Sequence, residues 1–404
     1  MANVSSSNGL EKRPALSFRD DCGAEFPSWQ RTSLGTIIEP YSEKVHGEHD
    51  FEVLTSSREG LQRQIDHFGS QQRHDTDGYN IIPLGFCTYR NRSDDGRFTF
   101  NINKISDKAI VSKFYPVFRF KNANSTFMTE YLNSSARARK KLSVLAVGTS
   151  QVVLSFEALK SAKFDLPCKE EQDKIASLLE CLNERIDLQR SFVDALKKYK
   201  RGLVFSVFHS DNPYGIKVEA TPLTYLLKEY RNRETANLRV CSVAVTKSVV
   251  DQLEHLGRRF SASDTSHYGR VKPGDVVYTK SPTGDFPYGI VKQSWLQEDV
   301  AVSPLYGVYT PLSYETGYLI HTYFEQSNNA NNYLRTLAQK GAKNTINITT
   351  THFLDKSIPF PSSQADVKLL VGLFTRITDR IESGECKLSL LMQQRKTLMQ
   401  QLFI

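Results

Sequence analysis

The chain repeats itself over a distance close to half its length. Asp75, Thr76, Tyr79, Gly85 and Tyr89 recur as Asp264, Thr265, Tyr268, Gly274 and Tyr278, each 189 positions later. Val111, Ser112, Tyr115 and Val117 recur as Val302, Ser303, Tyr306 and Val308 at 191. Pro167 and Gln172 recur as Pro359 and Gln364 at 192, and Leu196, Leu203 and Phe208 as Leu391, Leu398 and Phe403 at 195. The slow drift is that of two divergent copies with small insertions. Solenoid units repeat every 20 to 50 residues or so, so what is duplicated here is a whole domain with a helix attached. A chain of this kind presents two similar, non-identical surfaces, which suits a partner that is itself nearly two-fold symmetric.

Composition sets few further bounds. The 404 residues allow two to three domains, and 39% hydrophobic with 24% charged residues is ordinary for a globular chain. The net charge of +8 is compatible with a polyanion partner. Cys22, Cys87, Cys168, Cys181, Cys241 and Cys386 have no paired spacing. That argues against a zinc site or a disulfide framework and for a reducing compartment. No apolar run approaches 18 residues and no signal-peptide pattern opens the chain. A cytoplasmic location without membrane contact is the expectation.

Residues 1–26 are polar and aperiodic and read as a loose arm. From 27 to 167 short β-rich runs alternate with turn signals. Phe114 to Phe120 has strand character, Asp94-Asp95-Gly96 reads as a hairpin turn, and Arg137 to Leu145 as a basic helix. Over 168–210 the pattern changes to a helical seam of Ile175, Leu179, Leu182, Ile186, Val193, Leu196, Leu203 and Val207. Acidic residues (Glu170, Glu171, Asp173) open this helix and basic ones (Lys197, Lys198, Lys200, Arg201) crowd its end, as the helix dipole favours. Asp211-Asn212-Pro213 reads as its stop. A second α+β domain fills 211–358, where Lys272-Pro273-Gly274-Asp275 marks a turn before strand-like Val276 to Tyr278. A second helix fills 359–404, with Val367, Leu370, Phe374, Ile377, Ile381, Leu388, Leu391, Leu398 and Leu402 on its seam. Gln189 and Lys200 break the first seam, and Gly384 and Arg395 break the second at positions 195 later. Polar seam residues set register in paired helices, or simply face water. Helices of about 40 residues are about 60 Å long and marginal alone, so the two are expected to pack together, antiparallel.

This order resembles the specificity subunit of type I restriction–modification enzymes. The resemblance rests on a globular domain, a Pro-x-x-x-x-Gln helix start (Pro167 to Gln172, Pro359 to Gln364), and a long helix ending in Leu-x-x-x-x-Phe (Leu203 to Phe208, Leu398 to Phe403), all then repeated. The stretch Asn8 to Pro14 leading to Trp29 is also similar to the start of many such subunits. One departure is Cys168-Lys169-Glu170 in place of a proline-rich helix start. The resemblance implies an α+β fold of two tandem target recognition domains, related by a pseudo-two-fold axis and separated by two antiparallel coiled-coil helices. Each domain would read one half of a split double-stranded DNA sequence. The helices would space the halves and dock two adenine methyltransferase subunits, with two translocase–endonuclease subunits joining. The chain itself would hold no catalytic site, metal or cofactor. S-adenosylmethionine, ATP and Mg are expected in the partners.

Two other readings compete: a stand-alone adenine methyltransferase, and a coiled-coil protein that binds no DNA. Asp211-Asn212-Pro213-Tyr214 resembles the motif with which adenine methyltransferases grip a flipped base, but its first paired proline is missing and no glycine-rich donor loop lies upstream. His46, Glu48 and His49 read as a hydrated loop rather than a metal site. No serine lies in a nucleophile elbow, and Gly148-Thr149-Ser150 lacks the lysine of a phosphate loop.

DNA recognition needs basic residues for phosphates and Arg, Asn, Gln, Ser or Thr for base edges. In the first domain the candidates are Arg58, Arg90, Arg92, Arg97, Arg137, Arg139, Lys140 and Lys141, with the polar loop Thr149, Ser150 and Gln151. In the second they are Lys247, Arg258, Arg259, Lys280, Lys340, Lys343 and Asn344. Arg90 and Lys280 each follow a repeated tyrosine. The first long helix carries a second apolar stripe, Leu188, Phe192, Ala195, Tyr199 and Gly202. Leu188, Phe192 and Tyr199 are the candidate methyltransferase dock, the alternative being that the chain's own globular domains cover them.

Overall fold

The computed structural model describes residues 14–69, 75–209, 212–230, 235, 238–252, 267–340 and 346–403, the side chains of 339, 340, 346 and 347 excepted. By internal contacts the chain divides into unit 1, Met1–Arg190 with Cys386–Ile404, and unit 2, Ser191–Glu385.

Unit 1 contains strands β1 (Gln30–Ser33), β2 (Ile38–Tyr41), β3 (Glu52–Ser57), β4 (Gly60–Arg63), β5 (Asn80–Pro83), β6 (Cys87–Tyr89), β7 (Arg92–Ser93), β8 (Phe100–Ile102), β9 (Lys108–Val111), β10 (Val117–Phe120), β11 (Val152–Val153) and β12 (Lys163–Leu166). Its helices are α1 (Leu34–Ile37), α2 (Gln64–Phe68), α3 (Ser125–Ser134), α4 (Ala136–Leu145), α5 (Phe156–Ser161) and the first part of α6 (Lys169–Val207). Two four-stranded sheets carry the domain. One has the order β2-β10-β6-β8; the other has the order β4-β3-β9-β5, in which β3 and β9 run parallel. The β1–β12 pair ties the start of the domain to the strand that feeds α6. The core is aromatic: Phe127 stacks on Tyr131 at 5.9 Å, and Trp29 and Phe403 meet both rings edge-on.

Unit 2 contains β13 (Val218–Pro222), β14 (Leu227–Glu229), β15 (Arg239–Ala244), β16 (Ser248–Asp251), β17 (Gly269–Val271), β18 (Val276–Tyr278), β19 (Val291–Gln293), β20 (Val300–Val302), β21 (Gly307–Pro311), β22 (Gln339–Lys340), β23 (Ile346–Asn347) and β24 (Ser357–Pro361). Its helices are α7 (Tyr314–Phe324), α8 (Ser327–Leu334), α9 (Thr350–Asp355) and the first part of α10 (Gln364–Leu402). The sheets are β14-β21-β18-β19 and β16-β15-β20-β17, again with one parallel pair, β15–β20. Strand for strand this is the order of unit 1, and β13–β24 closes the unit as β1–β12 closes the other. Tyr278, Tyr309, Phe324 and Phe353 fill its core.

Both long helices are 39 residues and begin 195 positions apart, at Lys169 and Gln364. The seams fold inward as their spacing predicts. In unit 1, Ile175, Ala176 and Leu179 share a core with Met399, Leu402 and Phe403. In unit 2, Leu203, Val204 and Val207 share one with Val367, Leu370, Phe374, Ile377 and Ile381. Within each unit the start of one helix lies beside the end of the other, so the paired segments are antiparallel.

The polar breaks at Lys200 and Arg395 are ion pairs. Arg395 bonds Glu130 on α3 and the Asn183 side-chain oxygen on α6, both at 2.6 Å. Lys200 bonds Glu325, the residue that caps α7, at 2.7 Å. Glu325 lies 195 positions after Glu130, as Arg395 does after Lys200. Each unit thus locks a helix of its globular part to a long helix with the same pair. Gln189 is half-buried and Gly384 buried, so neither is the solvated position that a bare break allows.

Three expectations need correction. The shared Pro-x-x-x-x-Gln spacing is no structural equivalence. Gln172 is buried in the first turn of α6 and donates back to the Pro167 carbonyl at 2.9 Å, whereas Gln364 is exposed at the first residue of α10. Of the arm, the described part 14–26 is held rather than loose. The Leu16 N–H donates to Gln401 O at 3.0 Å, and the Lys174 amine donates to Asp21 at 2.6 Å. The strand expected from Phe114 begins only at Val117, because Ser112 to Tyr115 form a turn closed by a 2.9 Å bond from Tyr115 N–H to Ser112 O.

Candidate nucleic-acid interface

In unit 1 the connection from β6 to β8 carries the candidate site. After Tyr89 the chain passes Arg90 and Asn91, pairs β7 with β11, and turns at Asp94 to Arg97, where Gly96 takes φ of 71°. Val147 and Val153 exchange two backbone bonds of 3.0 and 2.9 Å, which pinches the intervening loop and leaves Thr149 and Ser150 exposed at its tip. Gly148 makes the pinch possible: its φ is 141°, and a Cβ there would lie 2.3 Å from the Gln151 carbonyl oxygen. Gln151 then donates to Asp94 at 3.0 Å.

Asp95 gathers the rest. One carboxylate oxygen accepts from the Ser93 hydroxyl at 2.9 Å and the Arg97 N–H at 3.1 Å; the other accepts from Arg58 Nη2 at 2.6 Å. The Ser93 hydroxyl, the Arg97 N–H and the Arg58 guanidinium hold its carboxyl below the ordinary value. Arg58 occupies the two-residue tip of the β3–β4 hairpin, which closes at the Ser57–Gly60 pair. Arg92 lies with its guanidinium 4.9 Å from the Phe114 ring centroid, and the Lys113 amine sits 5.7 Å from the same ring. Arg58, Arg92, Arg97, Thr149, Ser150 and Gln151, widely spaced in sequence, thus meet around one loop cluster, with exposed Arg90 at its edge.

The basic helix α4 is different. Arg137 and Arg31 approach Asp165 at 4.0 and 3.5 Å. Lys141 donates to the Lys163 carbonyl at 2.5 Å and covers the Phe164 ring at 5.4 Å. Partial burial, then the Arg31 charge, lowers the Lys141 ammonium below its usual value. These two side chains hold α4 against β12. Arg139 and Lys140 remain exposed.

In unit 2, Lys247 is exposed on the β15–β16 tip, 189 positions after Arg58 and on the equivalent hairpin. Lys280 is half-buried, in left-handed backbone at φ of 53°, and burial lowers its ammonium. The loop beyond it is braced by two bonds between Thr283 and Phe286, of 3.1 and 2.9 Å, and by the Tyr278 hydroxyl on Tyr288 O at 2.8 Å. Gly289 lies where a Cβ would meet Lys280 N at 3.0 Å. Arg258, Arg259, Lys343 and Asn344 lie outside the described residues, as does the side chain of Lys340.

Asn212 spends its amide on the turn after α6, donating to Ile216 O at 2.5 Å and accepting from Ile216 and Tyr214 N–H, both at 3.2 Å. These bonds make the segment a chain reversal. His49 meets the Thr76 hydroxyl at 2.8 Å and His46 faces Asp77 at 3.3 Å. Among the described residues no group of three or more His, Cys, Asp or Glu could hold a metal ion. No described helix is long and apolar enough to cross a membrane. Leu188, Phe192 and Tyr199 are 65, 48 and 57% exposed, and Ala195 and Gly202 are exposed between them. Among the described residues the stripe is left open within its own unit on either side of the 190/191 boundary.

Two features are not visible in the sequence. Asp95 reads as a turn residue, and its role appears only once Arg58 is beside it. Phe114 is 49% exposed on its turn, and Leu305 is 68% exposed on the equivalent turn 191 positions later. The repeated Ser112/Ser303 and Tyr115/Tyr306 bracket these two residues, but Phe and Leu differ, so the repeat skipped them.

Residues 49–198 match the family model described as type I restriction modification DNA specificity domain. No curated protein matches the chain. Among solved structures, a crystal structure of a type I restriction–modification S subunit from M. genitalium is similar, at 11% identity and a TM-score of 0.58, over 97% of this chain and 99% of that one. The HsdS subunit from Thermoanaerobacter tengcongensis aligns at 16% identity and a TM-score of 0.41, over 93% and 95%. A chain from a study of complex assembly and conformational transition in the type I system aligns at 15% and 0.49, over 93% and 98%.

Proposed function

We propose, on the premise that this chain belongs to the specificity-subunit family of type I restriction–modification systems, that it reads a two-part sequence in double-stranded DNA, one part with each unit. The observation that carries the reading is the structural repeat. Both units hold the same two sheets in the same strand order, and each sets a basic residue, Arg58 or Lys247, on the tip of the equivalent hairpin. Domains that keep a fold while changing their loop residues read different bases. On this reading 27–167 and 211–358 are the target recognition domains, and 168–210 and 359–404 the spacer helices. The exposed stripe at Leu188, Phe192 and Tyr199 docks adenine methyltransferase, two copies per complex, and two translocase–endonuclease subunits complete the restriction enzyme. S-adenosylmethionine, ATP and Mg serve those partners in the cytoplasm, and this chain performs no catalytic step.

Incubating the purified chain with S-adenosylmethionine and DNA tests the division of labour. The expected result is no methylation without a methyltransferase subunit, together with duplex binding whose logarithm falls linearly with log salt. Methylation by the chain alone refutes the reading.

A further inference from the structure

We infer that Arg58 reads a guanine in the DNA taken by unit 1, and that Asp95 is the positioning residue that aims it. The inference rests on the proposed function and adds to it the base class and the residues.

The Arg58 and Asp95 side chains are 70% and 42% exposed. Ion pairs that open contribute little to stability, so folding alone does not account for one this well made. Asp95 is itself fixed. Its two oxygens accept from the Ser93 hydroxyl, the Arg97 N–H and Arg58 Nη2 at 2.9, 3.1 and 2.6 Å. A carboxylate so occupied is poorly placed to accept from a cytosine amine. What it does is hold one proton of a guanidinium that has five. Whichever Nη2 proton is used, one full edge with two parallel N–H donors remains. That edge matches the N7 and O6 acceptors of guanine in the major groove.

The same pairing disfavours a phosphate. A carboxylate 2.6 Å from the guanidinium offsets its charge and repels an anion, whereas a neutral base edge needs only the oriented donors. Arg92 is better suited to phosphate, being exposed and over an aromatic ring, with no ion-pair partner among the described residues. Unit 2 differs at this place: the equivalent hairpin tip holds Lys247, which has no planar fork. The two halves of the DNA sequence are therefore read by different chemistry at this hairpin.

The test uses the full chain. Selection from a pool of randomised duplexes gives the bound two-part sequence, and each of its guanines is then replaced by 7-deazaguanine, which lacks the N7 acceptor. For the unaltered chain, one guanine in one half is expected to cost about tenfold in affinity when replaced. Arg58→Ala loses sensitivity to that replacement alone and keeps the salt slope. Asp95→Asn loses the same discrimination, and Asp95→Glu restores part of it. A merely structural aspartate would not act at a single base. The inference is overturned if Arg58→Ala weakens all sequences alike and lowers the salt slope by about one, the mark of a phosphate contact. It is also overturned if no guanine loses its sensitivity in that variant. Selection of no two-part sequence at all would instead remove the proposed function, and this inference with it.

Discussion

The equivalent ion pairs that lock each unit to its long helix give a quantitative prediction. Arg395 is 30% exposed and Glu130 17%, and Arg395 makes two bonds of 2.6 Å, to Glu130 and to Asn183. Hydrogen bonds to charged groups contribute about 1.5–3 kcal/mol each, while open ion pairs contribute about 0–1. For a half-shielded pair, Arg395→Ala is expected to cost about 2 kcal/mol, with a coupling to Glu130→Ala of about 1 kcal/mol in a double-mutant cycle. Lys200 has one such bond, and its partner Glu325 is 39% exposed, so Lys200→Ala is expected to cost about 1 kcal/mol. The chain has two tryptophans, which makes the assay selective. Trp29 lies against Phe127 and Tyr131 in unit 1, and Trp295 against Tyr318 and His321 in unit 2. Urea unfolding is followed by Trp29 fluorescence in a Trp295→Phe background and by Trp295 in a Trp29→Phe background. Arg395→Ala is expected to move the Trp29 midpoint down by about 1 M, given slopes of about 1–3 kcal/mol/M, and to move the Trp295 midpoint less. Lys200→Ala does the reverse. Coupling below about 0.3 kcal/mol, or a larger shift at the other tryptophan, would refute the lock.

Other outcomes follow from single residues. His321 is fully buried, and its Nδ1 accepts from the Gln293 N–H at 3.0 Å; burial, then the Lys292 charge, holds its pKa well below the ordinary value. The unfolded chain therefore takes up a proton near pH 6.5 that the folded unit refuses. Stability at Trp295 should fall by up to about 1.4 kcal/mol per pH unit below that value, and His321→Gln should flatten the slope. Gly148→Ala must force a Cβ against the Gln151 carbonyl oxygen, so DNA affinity should drop while the unfolding free energy followed at Trp29 falls by no more than about 3 kcal/mol. Because Phe192 and Tyr199 are exposed, Phe192→Asp with Tyr199→Asp should leave unfolding within about 0.5 kcal/mol per site yet abolish copurification with methyltransferase. Arg92→Ala should lower the salt slope of DNA binding by about one without changing sequence preference.

What the sequence makes legible here is periodic or repeated. The seams are visible because burial on a long helix leaves a three-four spacing, and nearly every predicted seam residue is buried or half-buried. Arg58 and Lys247 are 189 positions apart in the sequence, and the structure sets both on the tips of equivalent hairpins. Spacing misleads where the offset drifts: Gln172 and Gln364 match at 192, but the helices align at 195. The site itself is mostly illegible, because its parts are distant in sequence. Arg58 and Asp95 are 37 positions apart, and Gln151 and Asp94 are 57 apart. Only the pairing of β7 with β11 and the packing of two hairpins bring them together. Arg137 and Lys141 were indistinguishable from Arg139 and Lys140 until β12 placed Asp165 and the Lys163 carbonyl beside them.

Long-read mapping of methylated adenine in cells with and without this gene tests most directly whether two like units read two unlike DNA halves. Expected are loss of one split motif on deletion, and a change in only one half of that motif when residues 27–167 are exchanged for those of a similar chain. A methylation pattern that survives deletion, or an exchange that alters both halves together, would contradict that division.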